Sequence, residues 1–314
     1  MTIKELLELT IAQNASDLHV VAGIPPTLRV DGALFPVPNL GVLTPDMVAG
    51  FLKEVLNSEQ LERLSVNKEI DFSLAFSEKA RYRVNAYTQR GTLAAAFRRI
   101  PLEIPPIDSL GLPKILHSFT TLRQGFVLVT GPTGHGKSTT LAAMINEINA
   151  NRAAHIVTIE DPIEFMFKPA KSIISQREMR SDTHSWQVAL RSVLREDPDV
   201  VLVGEMRDYE TIAAALTVAE TGHLVFATLH TNSAAQTIDR IVDVFPEEQQ
   251  AQVRLQLSNV IEAVFSQRLI SAIAGGRVVG YEVLLASVRG GKITLENAQG
   301  WSLRPEELTR LVRK

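Results

Sequence analysis

The sequence predicts an α/β protein whose main domain is built on a parallel-rich sheet, preceded by a smaller α+β domain. Two observations support this fold class. From about residue 114 onward, runs that are apolar on both faces alternate with helical segments, which is typical of a buried parallel sheet with crossover helices. The first hundred residues instead contain short elements punctuated by glycine and proline. At about 150 residues per domain, 314 residues also suit two domains.

The composition excludes several classes of protein. The chain is 45% hydrophobic and 21% charged, which is too apolar for a disordered protein. It has no cysteine, so disulfides, cysteine-based zinc sites, iron–sulfur clusters and thiol nucleophiles are excluded. The net charge of −3 lacks the basic footprint of a general duplex-DNA binder, although a local basic patch is not excluded.

The sequence argues against a membrane span and against a secretory signal. No apolar run approaches the about 18 residues needed to span a bilayer. Glu5 and Glu8 argue against a secretory signal at the amino terminus. We therefore expect a soluble cytoplasmic protein, with peripheral membrane association left open.

The first predicted domain covers residues 1–100. It begins with an amphipathic helix over residues 1–15, followed by extended segments at LHVVAG, TLRVDG and ALFPV. A second helix starts with Thr44 as N-cap and Pro45 at the first helical position. Three strands follow in DFSLAF, RYRVNAYT and TLAAAFRRI, with Gln89-Arg90-Gly91 as a hairpin turn.

Residues 101–113, PLEIPPIDSLGLP, carry four prolines and predict an interdomain linker. The alternative is an ordered surface loop of one domain. The second domain is then expected over residues 114–314.

In the second domain we predict strands at 126–130, 155–159, 200–204 and 223–229. The helical stretches between them read KSTTLAAMINEINA, SWQVALRSVLRED and TIAAALTVAE. A further helix is expected from Pro246 to about Arg268.

The strongest functional motif is GPTGHGKST, which matches G-x-x-x-x-G-K-[ST] between a predicted strand and a predicted helix. Its glycines let backbone N–H groups point at phosphates, and the helix N-terminus adds positive potential. Lys137 reaches the β- and γ-phosphates and the hydroxyl of Ser138 ligates Mg²⁺. The predicted nucleotide-binding residues are Gly131, Pro132, Thr133, Gly134, His135, Gly136, Lys137, Ser138 and Thr139. His135 is assigned no chemistry of its own.

Acidic residues and histidines follow the neighbouring strands, where ligands of open α/β sheets bind. Glu160, Asp161 and Glu164 follow the second strand. Glu205 follows the third, with Gly204 where a Walker-B aspartate usually stands. The fourth strand lies between two histidines, His223 and His230.

These motifs resemble those of a known family. Beside GPTGHGKST, three segments are similar to motifs of the secretion ATPase superfamily, which powers type IV pili and type II secretion. The Asp box is resembled by TIEDPIE, Walker B by VLVGEMRD, and the His box by TGHLVFATLHTNSA. The PilT-type members are resembled most closely in two further segments, NASDLHVVAGIPPTLRVDG and RYRVNAY. The likeness covers about residues 1–285.

The resemblance implies a RecA-like motor domain behind a PAS-like amino-terminal domain. It implies that Lys137 and Ser138 hold phosphates and Mg²⁺, that Glu164 activates the attacking water, and that Glu205 helps to place Mg²⁺ and water. It also implies that His230, and less directly His223, senses the γ-phosphate. The residues themselves leave open which of Glu164 and Glu205 is base and which is metal holder.

The transition state of phosphoryl transfer also needs positive charge, and an arginine finger is worth about 10³–10⁵ in rate. Arg81 and Arg83 share a strand face by the period of two, and Arg98 lies on the partner strand of the hairpin. Because the family places arginines of this region over the nucleotide, Arg81, Arg83 and Arg98 are candidates. The alternative is a solvated basic strand face.

The family resemblance implies ATP and Mg²⁺ as cofactors. It implies a homohexamer at the cytoplasmic face of the inner membrane, with a pilus platform protein and a paralogous pilus ATPase as partners and no nucleic acid.

The carboxy-terminal residues depart from the family pattern. Past EVLLAS the family continues into a segment resembling AIRNLIRE, which is linked to pilus retraction, whereas this chain reads SVRGGKITLENAQGWSLRPEELTRLVRK. We expect one short helix in RPEELTRLVRK. Three functions therefore remain: a retraction-type ATPase motor of the type IV pilus or of another filament, an accessory nucleotide-binding subunit with little hydrolysis of its own, and a P-loop DNA motor, which the net charge does not favour.

Overall fold

The structure is a computed structural model that describes residues 2–30, 32–77, 80–100, 103–272 and 277–286. The chain forms two compact units. The first unit is the chain up to Glu103 together with the short segment Glu164–Met166, and the second is Ile104–Ile163 together with the chain from Phe167 onward.

The first unit is an α+β structure. Its described helices are α1 (Ile3–Ala12), α2 (Pro45–Val55) and α3 (Ser58–Asn67). Its strands are β1 (Asp17–Val21), β2 (Thr27–Val30), β3 (Ala33–Pro36), β4 (Glu69–Ser77), β5 (Ala80–Gln89) and β6 (Thr92–Ile100). They form an antiparallel sheet in the order β3-β2-β1-β6-β5-β4.

Local sequence signals explain the ends of these elements. At α1 the hydroxyl of Thr2 accepts from the N–H of Glu5, and the Glu5 carboxylate accepts from the N–H of Thr2, which is a capping box. Thr44 caps α2 and Pro45 is its first residue, as predicted. The predicted hairpin turn lies between β5 and β6.

The core of the first unit lies under one face of β5. Ala80, Tyr82, Val84 and Ala86 alternate inward along that strand and are buried. The phenol of Tyr82 donates to the carbonyl of Leu7 at 2.8 Å, which ties α1 to the sheet.

The second unit is an α/β structure that begins with a 3-10 helix, Ile107–Leu110. Its described α-helices are α4 (Ile115–Thr121), α5 (Lys137–Asn151), α6 (Trp186–Val193), α7 (Tyr209–Glu220), α8 (Ala234–Asp243) and α9 (Glu247–Val260). Its strands are β7 (Gly125–Thr130), β8 (His155–Glu160), β9 (Ile173–Glu178), β10 (Val200–Val203), β11 (Leu224–Leu229), β12 (Ile261–Ser271) and β13 (Arg277–Leu285).

The second sheet has the order β13-β12-β7-β11-β10-β8-β9, and every pair is parallel except β12 with β13. All side chains of β7, β10 and β11 are buried, as expected for a sheet covered on both faces. The predicted α/β class, with a parallel-rich sheet and a smaller α+β unit before it, is therefore confirmed. The register pairs Thr130 with Leu229 and Ile159 with Val203, so the loops that follow these strands emerge at one edge of the sheet.

The helix predicted from Pro246 to about Arg268 is wrong in its second half. α9 ends at Val260, and Ile261–Ser271 is β12, which pairs with β7. The segment IEAVFSQRLIS mixes apolar and polar residues in an order that fits a strand as well as a helix, and here pairing with β7 decides for the strand.

The structure also contains elements that were not predicted, namely the 3-10 helix, α3, α4, α8, β9 and β13. The predicted helix in RPEELTRLVRK lies outside the described residues. Among the residues that the structure describes, no helix is long and apolar enough to cross a membrane.

Candidate nucleotide site

The glycine-rich loop joins β7 to α5, in the strand–loop–helix context that the motif requires. Gly131 has φ +141°, a value that L side chains rarely adopt. A Cβ at this position would also collide with the carbonyl oxygen of Gln267 on β12. Glycine is therefore required at the first position of the loop for two independent reasons. α5 begins at Lys137, so its free N–H groups and positive dipole end face the loop.

Lys137 is buried, and its ammonium folds back onto the loop. Nζ donates to the carbonyl of Gly131 at 2.8 Å and to that of Pro132 at 3.0 Å. The positive charge is thus held inside the loop, where phosphate oxygens are expected to bind.

Glu205 follows β10, and each of its carboxylate oxygens has a close side-chain partner. Oε2 accepts from the guanidinium of Arg207 at 2.8 Å, and Oε1 lies 2.7 Å from Nε2 of His230. Burial acts to raise the pKa of Glu205, but the hydrogen bond from Arg207 and the positive charge nearby outweigh it and leave this pKa below its usual value. Glu205 is therefore a charged acceptor at neutral pH.

His230, at the end of β11, bridges the acid and the loop. Nδ1 lies 3.3 Å from the hydroxyl of Thr133 and 3.4 Å from the ammonium of Lys137. An ammonium has no lone pair, so Nδ1 is the acceptor and Nε2–H donates to Glu205. Three residues predicted from the sequence, Lys137, Glu205 and His230, thus meet at the carboxyl edge of the sheet.

Ser138 and Thr139 lie in the first turn of α5 and are partly exposed, while Thr133 and Gly134 are exposed at the loop. A cavity of about 220 Å³ adjoins Glu205. It is lined by Glu205, Met206, Arg207, Ile212, Leu229, His230 and Arg240. Arg207 lies two residues after Glu205, a position for which the sequence leaves an interface or a switch role open.

Gly204 occupies the position where a Walker-B aspartate usually stands, and packing explains the glycine. A Cβ at Gly204 would lie 3.2 Å from the Cα of Glu160 and 3.2 Å from the carbonyl oxygen of Ile159. Neither atom belongs to a flexible side chain, so β8 would have to move. The acid of this strand is therefore displaced by one residue, to Glu205.

The acid that ends β8 and the acid that follows it already have side-chain partners. Glu160 is buried and accepts from the hydroxyl of Thr158 at 2.7 Å. Asp161 lies 3.3 Å from the guanidinium of Arg180. These contacts favour structural roles for both.

His223 is placed differently from His230. It precedes β11, and its Nδ1 lies 3.1 Å from the carbonyl of Val218 and 3.1 Å from the hydroxyl of Thr221. Because β11 rises by about 3.3 Å per residue, the two histidines lie at opposite edges of the sheet. They do not serve the same loop within one chain.

The remaining predicted residues belong to the first unit. Glu164 lies in the segment Glu164–Met166 of that unit. Arg81 donates to the sulfur of Met166 at 3.3 Å. The structure thus groups Glu164 and Arg81 in one unit, and Lys137, Glu205 and His230 in the other.

Arg83 and Arg98 are cross-strand neighbours on β5 and β6. Arg98 donates to Asp17 at 2.9 Å, and the guanidinium of Arg83 lies 3.9 Å from Asp71. Arg81 and Arg83 share the less buried face of β5, as predicted.

A parallel sheet with a G-x-x-x-x-G-K-S loop, a helix that starts at the lysine, and an acid on a neighbouring strand defines a P-loop protein of the nucleotide-binding α/β class. Within that class the chain belongs to the type II/IV secretion system protein family, whose model matches residues 2–277.

Individual relatives agree with this assignment. The chain is 50% identical over 287 residues to the type IV pilus retraction ATPase PilT of Pseudomonas aeruginosa, covering 91% of this chain and 83% of that protein. It is 46% identical over 327 residues to a twitching motility protein of Neisseria gonorrhoeae, covering 100% of this chain and 87% of the relative. A crystal structure of the pilus retraction motor PilT with bound ADP is similar with a TM-score of 0.89 and 44% identity, and 99% of each chain is covered.

Proposed function

We propose that this protein is an ATP-hydrolysing motor of the type IV pilus machinery, of the retraction type. The observation that carries the proposal is the meeting of Lys137, Glu205 and His230 beside the P-loop. The names of the relatives, a pilus retraction ATPase and a twitching motility protein, support the same activity.

ATP would bind with its phosphates in the loop. The backbone N–H groups of the loop and the N-terminus of α5 supply donors, and Lys137 supplies the charge. Its present acceptors include the carbonyls of Gly131 and Pro132, which are neutral, so phosphate oxygens are stronger acceptors for the ammonium than these carbonyls.

The donors near the loop suit Mg²⁺, because hydroxyl and carboxylate oxygens are its preferred ligands. Ser138 would hold the ion through its hydroxyl. Glu205 would act partly through water, since both of its oxygens already have a protein partner. When bound, Mg²⁺ neutralises charge on the β- and γ-phosphates.

The lowered pKa of Glu205 suggests how the two glutamates divide their roles. A general base works best with a pKa near the working pH, and Glu205 lies below the usual carboxylate value. Glu205 therefore suits orienting water and the metal, and Glu164 is the proposed base. His230 would report the γ-phosphate to Glu205 through its two ring nitrogens.

Positive charge for the transition state would come from Arg81, Arg83 and Arg98 in the first unit. Among these three, Arg98 has a close carboxylate partner in Asp17, which partly neutralises it. Arg83 is separated from Asp71 by 3.9 Å and is the better candidate.

Because the proposed base and arginines belong to one unit and the P-loop to the other, we propose that hydrolysis is coupled to movement between the units. The chain has no cysteine, so dyes can be attached through Glu59→Cys and Glu248→Cys, which replace exposed residues of α3 and α9. Energy transfer between the dyes should change during turnover. A signal that stays constant through turnover would exclude the coupling.

The proposed assembly is a homohexamer at the cytoplasmic face of the inner membrane, bound to a pilus platform protein and working beside a paralogous pilus ATPase. Family resemblance supports this assembly. Light scattering tests it: a mass of about six chains is expected with nucleotide, and a monomer at all concentrations would contradict it.

Phosphate release from Mg-ATP tests the proposed function. The wild type should turn over, whereas Lys137→Ala should not bind nucleotide and Glu164→Gln should bind without hydrolysis. A wild type that binds ATP but releases no phosphate would favour the accessory subunit instead. Stimulation of hydrolysis by DNA would favour a DNA motor.

A further inference from the structure

We propose that Gln267 on β12 is a positioning residue that holds the P-loop in its nucleotide-binding conformation. The inference rests on the proposed nucleotide site but concerns a strand that lies outside its recognised motifs.

The side chain of Gln267 is buried, with 1% of its surface exposed, and its amide joins two parts of the site. Nε2 donates to the carbonyl of His135 in the loop at 2.7 Å. Oε1 accepts from the hydroxyl of Thr140 in the first turn of α5 at 2.8 Å. Burying an amide is costly unless it is hydrogen-bonded, so these two bonds fix both the glutamine and its partners.

The backbone of β12 adds two more contacts with the same loop. The N–H of Leu269 donates to Nδ1 of His135 at 2.9 Å. The carbonyl of Gln267 lies so close to Gly131 that no side chain fits there. β12 therefore meets the start of the loop, its middle and the first turn of the helix that follows.

These contacts give a structural role to His135, although the motif accepts any residue at this position. Its carbonyl and its ring nitrogen both accept from β12. Because Nδ1 accepts a hydrogen bond, the ring proton is on Nε2. His135 thus anchors the loop to β12.

The consequence for binding follows from loop geometry. A P-loop binds phosphate only when successive N–H groups point to one centre, so freedom at His135 lowers the fraction of competent loops and weakens apparent affinity in proportion. Both polar ends of the Gln267 amide already have protein partners. It would therefore act through His135 and Thr140, without touching the nucleotide.

The test compares Gln267→Met, which keeps volume and removes the amide, with Ser266→Ala, which changes the adjacent side chain of β12. Affinity for ADP and ATP should fall about tenfold in Gln267→Met, which corresponds to about 1.4 kcal/mol, and stay near wild type in Ser266→Ala. KM for ATP should rise more than kcat falls. Gln267→Glu keeps the acceptor for Thr140 and loses the donor to His135, so it should also weaken binding.

Two further measurements separate positioning from simple support of the fold. Thr140→Val removes one of the same hydrogen bonds, so its effect on ADP affinity should be less than additive with Gln267→Met. Amide hydrogen exchange at residues 131–137, without nucleotide, should be faster in Gln267→Met than in Ser266→Ala.

Unchanged ADP affinity together with unchanged exchange in the loop would overturn the proposal, even if the melting temperature falls. If the wild type bound neither nucleotide, the proposed function would fail. The exchange rates alone would then decide this inference, with faster exchange supporting it and unchanged exchange refuting it.

Discussion

The imidazole of His230 lies 2.7 Å from the carboxylate of Glu205, and its other nitrogen lies 3.4 Å from the ammonium of Lys137. One ring therefore connects the acid that follows β10 to the lysine of the P-loop. Because Nδ1 must accept, the ring is in a single tautomer. A change at the phosphates can reach Glu205 by this path.

Replacing His230 tests that path. In His230→Asn the amide is too short to contact both partners, so turnover should fall about 100-fold while ADP affinity changes little. Stopped-flow binding and phosphate release measure the two quantities. His184→Asn, in an exposed loop, is the control and should hydrolyse normally. Normal hydrolysis in His230→Asn would show that the contact is only structural.

A side chain at position 204 should destabilise the protein because of close packing. Gly204→Ala should destabilise the protein by about 1–3 kcal/mol, because the new methyl presses on the backbone of β8. Gly50→Ala is the matched control: in α2 nothing lies within 4 Å of the added methyl, and the change should stabilise by about 0.5–1 kcal/mol. Melting curves compare the two. A neutral Gly204→Ala would refute the packing explanation.

The contacts of His117 with two carboxylates should make the stability of the fold depend on pH. Nε2 lies 3.1 Å from Asp108 and Nδ1 lies 2.8 Å from Glu147. The hydrogen bond with Asp108, followed by that with Glu147, raises the pKa of His117 above its usual value. The charged ring thus stabilises the fold fully below about pH 6.5, and this contribution is lost as the pH rises through the raised pKa.

The comparison is between wild type and His117→Asn at pH 6 and pH 9. The difference in melting temperature should be larger at pH 6. Asp108→Asn should reduce this pH dependence by removing one partner. A difference that is the same at both pH values would contradict the account.

The buried hydroxyl of Tyr82 should stabilise the first unit, by an amount that depends on pH. Tyr82→Phe removes the hydrogen bond to Leu7 and should cost about 1 kcal/mol at neutral pH. Burial raises the pKa of Tyr82 to about 12, so the folded phenol stays neutral at a pH where the unfolded one ionises. Wild-type stability should therefore decline above about pH 10, and more steeply than that of Tyr82→Phe.

Denaturant unfolding from pH 8 to 11 measures this prediction. Tyr87→Phe is the control on the same strand, because Tyr87 is only partly buried. Equal alkaline slopes for wild type and Tyr82→Phe would contradict it.

The site could be predicted from sequence where its residues follow a local pattern. The P-loop, Glu205 and His230 each follow a buried strand, and a parallel sheet brings such ends together. Gln267 is 132 residues from His135 along the chain, and no local pattern connects them. The segment that forms β12 fits a helix as well as a strand by its sequence, because its residues do not show which neighbour it will pair with. The contact of Arg207 with Glu205 depends on the direction of a side chain, which the sequence does not give.

Hydrolysis by Glu205→Gln tests the account most directly. The amide keeps the size of the side chain and removes its charge, so the variant should bind Mg-ATP with nearly wild-type affinity and release phosphate at least about 100-fold more slowly. Glu210→Gln, an exposed acid in the first turn of α7, should hydrolyse normally. Single-turnover phosphate release at saturating ATP is the measurement. Release from Glu205→Gln at the wild-type rate would show that the acid beside His230 has no part in the chemistry.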